Sequence, residues 1–257
     1  MIRASGSPPI QRAGGPVPPL SPAPGGMSAP IAENLAAVRE RIAAAARRSG
    51  RDAGAVTLIA VSKTQPAARV REAFDAGQRL FGENYVQEAL GKIAELPPEA
   101  RWHLIGHLQT NKARNVVGAF ACIQTVDSPR LAQALERRAA ALQTALDVLL
   151  QVNWSQETSK SGVTEPDALR RLVVEMAAYS WLKPRGLMTI PDPSSDETAL
   201  RRCFSEMRRL RETLAAECAP EARFTELSMG MSHDFESAIE EGATMVRVGT
   251  AIFGARA

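Results

Sequence analysis

The stretch Val56-Thr57-Leu58-Ile59-Ala60-Val61-Ser62-Lys63 decides the fold, because it is an apolar strand pattern followed at once by a helical one. Pro66 suits the first turn of a helix, Val70 and Phe74 recur at helical spacing, and Gly77 is a typical stop. The two elements together make one βα unit. Similar apolar strand patterns follow along the chain at 79–83, 102–106, 122–126, 147–153, 185–190, 225–229 and 245–253.

Helical patterns lie between most of these strands, so the unit repeats to the end of the chain. The longest of them spans 197–218, and apolar residues spaced from Ile31 to Ile42 predict a leading helix that ends at Ser49 and Gly50. Eight strands with their helices in about 220 residues predict a closed (β/α)₈ TIM barrel. An open doubly wound sheet is the alternative, but no G-x-G-x-x-G motif follows the first strand to suggest dinucleotide binding.

Composition and charge argue against several classes of protein. The chain has 31 Lys and Arg against 28 Asp and Glu, a balance that gives no concentrated basic face for nucleic acid. Its three cysteines are scattered and have no C-x-x-C spacing, so we expect neither a disulfide framework nor a metal site, and a cytoplasmic location. No apolar run is long enough to cross a bilayer, so a membrane is not an expected partner.

The first 30 residues differ in character from the rest of the chain. They are crowded with Pro, Gly and Ser, hold few large apolar side chains, and lack the apolar core of a secretory signal. We therefore expect a disordered extension over residues 1–30 and one barrel domain over residues 31–257. Met27 is an alternative start of the protein.

Lys63 is the strongest candidate for a reactive residue, because it ends the first strand at the rim where barrel enzymes have their active sites. Strict alternation puts it on the same face as Val61, Ile59 and Thr57. If that face lines the barrel, partial burial would favour the neutral amine that carbonyl addition requires. A solvated lysine at a strand end is the other interpretation, and spacing alone favours it.

Two elements near the end of the chain are candidate phosphate sites. The first is the segment from Ser228 to Asp234, in which Gly230 permits close approach of an anion and Ser232 is expected to be the N-cap of a helix. The second is Gly249-Thr250, which we place on the last strand. The loops after strands seven and eight form the recurrent phosphate site of such barrels. Helix capping and a tight turn explain either glycine alone equally well.

Several ordered stretches resemble one family over the chain from about Ile31 to its end. They are Ala60-Val61-Ser62-Lys63-Thr64, Phe81-Gly82-Glu83-Asn84-Tyr85-Val86-Gln87-Glu88, Trp102-His103-Leu104-Ile105-Gly106-His107-Leu108-Gln109, Ser159-Lys160-Ser161-Gly162, Gly186-Leu187-Met188-Thr189-Ile190-Pro191, 227–234 and 247–254. The chain is similar in these stretches to the YggS/PROSC family of pyridoxal phosphate homeostasis proteins.

The resemblance implies a fold-type III barrel, like the N-terminal domain of alanine racemase, that binds pyridoxal 5'-phosphate (PLP). It implies that Lys63 forms a Schiff base with the cofactor and that Arg247 faces the pyridine nitrogen. It assigns the phosphate to Ser232, Gly249, Thr250 and backbone amides near Met231. Asn84 and His103, placed at the ends of strands two and three, are further candidate contacts, although each could equally be a polar residue lining the barrel. Lys160 could approach the phosphate or be solvated.

The resemblance also implies a cofactor carrier rather than an enzyme. Alanine racemases carry a second, β-rich domain that supplies a catalytic acid on the opposite face of the cofactor, and the chain ends at Ala257 without one. We expect a monomer that keeps the intracellular concentration of free PLP low, with apo forms of PLP-dependent enzymes as candidate recipients and knock-on effects on amino-acid and keto-acid metabolism. A racemase of low activity and a Schiff-base aldolase without cofactor are the alternatives.

Overall fold

The computed structural model describes residues 30–155, 161–192, 194–218 and 223–255. Its strands are β1 (Thr57–Val61), β2 (Leu80–Glu83), β3 (Arg101–Leu104), β4 (Cys122–Val126), β5 (Leu146–Val152), β6 (Leu182–Thr189), β7 (Glu226–Ser228) and β8 (Met245–Val248). Its helices are α1 (Ile31–Arg48), α2 (Ala67–Asp75), α3 (Val86–Glu95), α4 (Ala113–Val116), α5 (Pro129–Leu142), α6 (Pro166–Ala177), α7 (Glu197–Cys218), α8 (Phe235–Glu240) and α9 (Thr250–Phe253). Short 3₁₀ turns lie at Ala53–Ala55 and Thr110–Lys112.

The eight strands form one closed parallel barrel in chain order, which confirms the predicted (β/α)₈ fold and excludes the open sheet. The barrel closes where β1 pairs with β8, with Thr57 opposite Met245, Ile59 opposite Arg247 and Ala60 opposite Val248. We call this pairing the closing seam. The seam brings the first strand of the sequence against the last, so residues far apart in the chain become neighbours at the rim.

Side chains alternate between the barrel axis and the layer of helices, as the strand period requires. A β-carbon added to Gly82 would lie 2.8 Å from Ile59 Cγ2 and 3.0 Å from Ile105 Cδ1, so Ile59 and Ile105 point into the barrel. Inside it, Cys122, Leu149 and Met188 form a small apolar cluster. The predicted face of Thr57, Ile59 and Val61 is therefore the inner one, while residues between them pack outward against the helices.

Helix boundaries agree closely with the sequence pattern in two places. The predicted 197–218 helix is α7 without change, and the leading helix α1 ends at Arg48 with Ser49 as its C-cap. No helix in the described part of the chain is long and apolar enough to cross a membrane.

The last predicted strand, 245–253, is wrong in its second half. β8 ends at Val248, Gly249 is the N-cap of α9, and Thr250 is the first residue of that helix rather than part of the strand. Ile252 and Phe253 are both fully buried within this helix. The remaining predicted strands overlap the observed ones.

Candidate cofactor site

The carboxyl ends of the strands gather most of the residues singled out from the sequence. Lys63 lies two residues beyond β1, Asn84 directly follows β2, and Gly249 directly follows β8. Because all eight strands are parallel, these ends meet at one rim of the barrel. Lys63 is half-buried there. Lys160 lies outside the described residues.

Arg247 is a buried cation in the barrel interior, only 3% exposed. Its Nη1 donates to Ser228 Oγ at 2.7 Å and its Nη2 donates to the Thr189 carbonyl at 2.8 Å. Burial lowers the pKa of Arg247 to about 10, against the opposing effect of Asp234. Its guanidinium therefore stays protonated at neutral pH and is fixed in orientation by two neighbouring strands.

A chain of hydrogen bonds continues from Arg247 across the barrel. Ser228 Oγ donates to Gln124 Oε1 at 2.7 Å, and Gln124 Nε2 lies 2.9 Å from His103 Nδ1. Gln124 turns its amide nitrogen toward Nδ1, and because an amide nitrogen can only donate, Nδ1 accepts and the proton of the neutral imidazole is on Nε2. Burial lowers the pKa of His103 to about 3, with Arg101 adding to the effect, so the ring is neutral.

The position of His103 in this hydrogen-bond network corrects the prediction that it ends its strand. His103 lies inside β3, is 6% exposed, and is bound by Gln124 in the barrel interior. Sequence reasoning missed Gln124 altogether, and it placed Ser228 in the candidate phosphate segment rather than in this network. The available signal was a large polar side chain at an inward position of a strand, as at Gln124 in β4.

The turn after β7 is shaped by Gly230, whose φ is +92°. A β-carbon there would lie 2.6 Å from Ala238 Cβ and 2.9 Å from Phe235 Cα, so only glycine fits against α8. The predicted N-cap at Ser232 is wrong, because α8 begins at Phe235 with Asp234 as its N-cap. Asp234 Oδ1 instead accepts from the Met231 N–H at 2.5 Å, reaching back over the turn.

Backbone donors remain open at both predicted phosphate elements. Among the described residues, the N–H groups of Ser232, Gly249 and Thr250 donate no hydrogen bond, although that of Met231 is engaged by Asp234. A β-carbon on Gly249 would lie 3.2 Å from the Val61 carbonyl, so the glycine lets the end of β8 approach β1 closely. Open amides beside a glycine fit an oxyanion, and with the buried cation of Arg247 they suit an anionic ligand.

Asn84 lines a cavity of about 190 Å³ at the rim, together with Ile105, Gln151, Asn153 and Ile190. This places Asn84 where a ligand in the mouth of the barrel could reach it. A larger cavity, about 430 Å³, lies at the start of β1 and β2 beside α1, so it is separate from the rim.

Comparisons with known proteins show what this chain resembles in sequence and in fold. The family described as alanine racemase, N-terminal domain, matches residues 34–257. The pyridoxal phosphate homeostasis protein of Pseudomonas aeruginosa is 48% identical over 227 residues, covering 88% of this chain and 96% of that protein. PipY of Synechococcus elongatus, solved with PLP bound, is 42% identical with a TM-score of 0.78, over 87% of this chain and 100% of that one. Alanine racemase of Corynebacterium glutamicum, 18% identical with a TM-score of 0.66 over 86% of this chain and 62% of that enzyme, shares the fold.

Proposed function

Because this chain belongs to the alanine racemase N-terminal domain family, within its YggS/PROSC group of pyridoxal phosphate homeostasis proteins, we propose that it binds PLP through a Schiff base at Lys63 and maintains the intracellular supply of the cofactor. The proposal extends to this chain the ligand that is bound in the PipY structure. PLP, when bound, supplies an aldehyde that condenses reversibly with an amine, and a dianionic phosphate.

The observation that carries the proposal is the closing seam. It sets the turn that holds Lys63 beside the open amides of Gly249 and Thr250, with Arg247 one layer below on the paired strand. Support for the proposal thus comes from an amine and open backbone amides at the rim, with a fixed cation in the barrel interior on the adjoining strand. These are the three groups that a pyridoxal phosphate needs at its aldehyde, its phosphate and its ring nitrogen.

Each residue has a distinct task in this proposal. Lys63 supplies the amine, and the open amides of Ser232, Gly249 and Thr250 hold the phosphate with the Thr250 hydroxyl, next to the Met231 turn. Arg247 donates to the pyridine nitrogen, and a guanidinium that keeps its proton leaves that nitrogen unprotonated. Asn84 contacts the cofactor from the rim. His103 acts on the site through Gln124, Ser228 and Arg247, to which the hydrogen-bond chain connects it.

We propose that the protein is a carrier without appreciable turnover. An unprotonated pyridine nitrogen is a weaker electron sink than a protonated one, which disfavours demanding carbanion chemistry. The curated relative is matched over 96% of its length and is named for cofactor homeostasis, whereas the match covers 62% of the racemase. A monomer in the cytoplasm that passes PLP to apo-enzymes is the form of the carrier we propose.

Absorption spectroscopy tests the Schiff base. Titration of the purified chain with PLP should produce a visible band that disappears in Lys63→Ala. Lys112→Ala is the matched control, because Lys112 is a half-buried lysine in the turn region after β3, at the same end of the barrel. Equal bands in all three proteins would contradict the assignment of Lys63.

A further inference from the structure

A buried group of charges lies behind the turn that carries Lys63. Lys92 of α3 is 5% exposed, and its Nζ contacts Glu83 Oε1 at 2.7 Å and Glu88 Oε1 at 2.6 Å. Glu83, at the end of β2, is completely buried. We refer to Glu83, Glu88 and Lys92 as the Lys92 cluster. None of the three is assigned a role in the proposed cofactor site.

The Lys92 cluster holds the residues on either side of Lys63. Lys92 Nζ donates to the Ser62 carbonyl at 2.6 Å, and Ser62 Oγ donates to Glu83 Oε1 at 2.6 Å. On the other side, the Thr64 N–H donates to Glu88 Oε1 at 2.5 Å. The backbone is therefore fastened immediately before and immediately after Lys63 by a single connected set of charges.

The conformation of Thr64 shows that this turn needs to be held. Its φ is +64°, in the left-handed region that β-branched residues avoid. A threonine stays there only where the surroundings determine its conformation. The Gln65 N–H donates to the Ser62 carbonyl at 3.0 Å across this turn, and the Thr64 N–H adds a hydrogen bond to a carboxylate, which is stronger than one between neutral groups.

Stability alone gives a poor account of the Lys92 cluster. It places two carboxylates around one ammonium, and within the described part of the chain the buried Glu83 Oε2 has no hydrogen-bond partner. Burial raises the pKa of Glu83, although Lys92 and Ser62 oppose the shift. Apolar residues of similar volume often stabilise a core as well as such a buried ion pair does. The contacts that distinguish this cluster are those to the backbone around Lys63.

We propose that Glu83, Glu88 and Lys92 are positioning residues, which fix the Ser62–Thr64 turn so that the Lys63 amine is directed at the aldehyde of the ligand. The inference rests on the proposed function, since it concerns the lysine assigned there. It makes the geometry of one turn responsible for bond formation and leaves phosphate recognition to the separate elements after β7 and β8.

Two ligands distinguish bond formation by Lys63 from recognition of the phosphate. PLP carries the aldehyde, whereas pyridoxine 5'-phosphate has an alcohol in its place and binds through ring and phosphate alone. Glu88→Ala should weaken PLP binding about tenfold, the size expected for loss of a charge-assisted hydrogen bond. It should leave the dissociation constant of pyridoxine 5'-phosphate within about twofold, because the elements after β7 and β8 are untouched.

Glu136→Ala is the matched control. Glu136 of α5 also accepts from backbone N–H groups, those of Ser180, Trp181 and Leu182, but at the amino-terminal end of β6 on the far side of the barrel. This variant should lose stability, measured by urea denaturation, without changing the binding of either ligand. A general loss of stability is thereby separated from a loss of position at Lys63.

A rescue tests the turn itself. Glycine adopts positive φ freely, so Thr64→Gly added to Glu88→Ala should restore most of the lost PLP affinity. If Glu88→Ala does not fold, Glu88→Gln carries the same comparison with an expected loss of about threefold. The inference is overturned if the Glu88 variants bind PLP like the wild type, if they lose both ligands equally, or if the glycine restores nothing. A wild type that binds both ligands equally and shows no Schiff base would instead defeat the proposed function, and this inference with it.

Discussion

Thr250 offers a clean test of phosphate recognition, because its side chain is exposed and its hydroxyl makes no hydrogen bond within the described residues. Thr250→Ala should therefore change the free energy of unfolding by less than about 0.5 kcal/mol. For the ligand the same change removes a hydroxyl donor to a charged acceptor, about 1.5 to 3 kcal/mol. The dissociation constant of PLP should rise about ten- to hundredfold.

Titration with two aldehydes shows whether this loss belongs to the phosphate. Pyridoxal has no phosphate, so its Schiff base with Lys63 should form equally in the wild type and in Thr250→Ala. Thr198→Ala, an exposed threonine in the first turn of α7, is the control and should affect neither titration. The assignment of Thr250 fails if its variant loses affinity for both aldehydes in equal measure, or for neither.

Three further predictions address the barrel interior, the turn after β7 and catalysis. Burial in the folded protein lowers the pKa of His103 to about 3, whereas in the unfolded chain the imidazole binds a proton below about pH 6.5. The free energy of unfolding of the wild type should therefore fall by up to about 1.4 kcal/mol per pH unit as the pH falls below 6.5. His103→Asn should reduce this pH dependence, measured by urea denaturation. Equal pH dependence in the two proteins would refute the prediction. Gly230→Ala should destabilise the fold by about 2 kcal/mol or more, because its β-carbon meets Ala238 and Phe235; a change below about 0.5 kcal/mol would contradict this. Long incubation with L-alanine should yield no D-alanine by chiral chromatography above a control with PLP alone, and sustained racemisation would show an enzyme.

Most of the fold was predictable because period and length are local properties of the sequence. The 22 residues of α7 repeat an apolar stripe over many turns, which leaves little room for error. The short segment Thr250–Phe253 gives no such repeat, and an apolar run of this length is compatible with strand or helix. Its helical state depends on where the closing seam ends.

The candidate site was predictable in part. The features that the sequence did not reveal depend on how distant parts of the chain are placed in space. The end of β1 and the glycines at positions 230 and 249 are visible as local signals. The N-cap of α8 is not visible in this way, since Ser232 is also a good capping residue. The backbone path set by Gly230 is what places Asp234 at the N-cap. Within the Lys92 cluster, the Glu88–Lys92 pair has a helical spacing that can be recognised from sequence, whereas the bonds to Ser62 and Thr64 join different elements.

Peptide mapping after reduction tests the central claim most directly. The wild-type chain is incubated with PLP, reduced with borohydride, digested and analysed by mass spectrometry. We predict one predominant pyridoxyl-phosphate adduct, located on Lys63, which is absent without the cofactor. An adduct located mainly on another lysine, or spread evenly over many lysines with Lys63 unmodified, would contradict it.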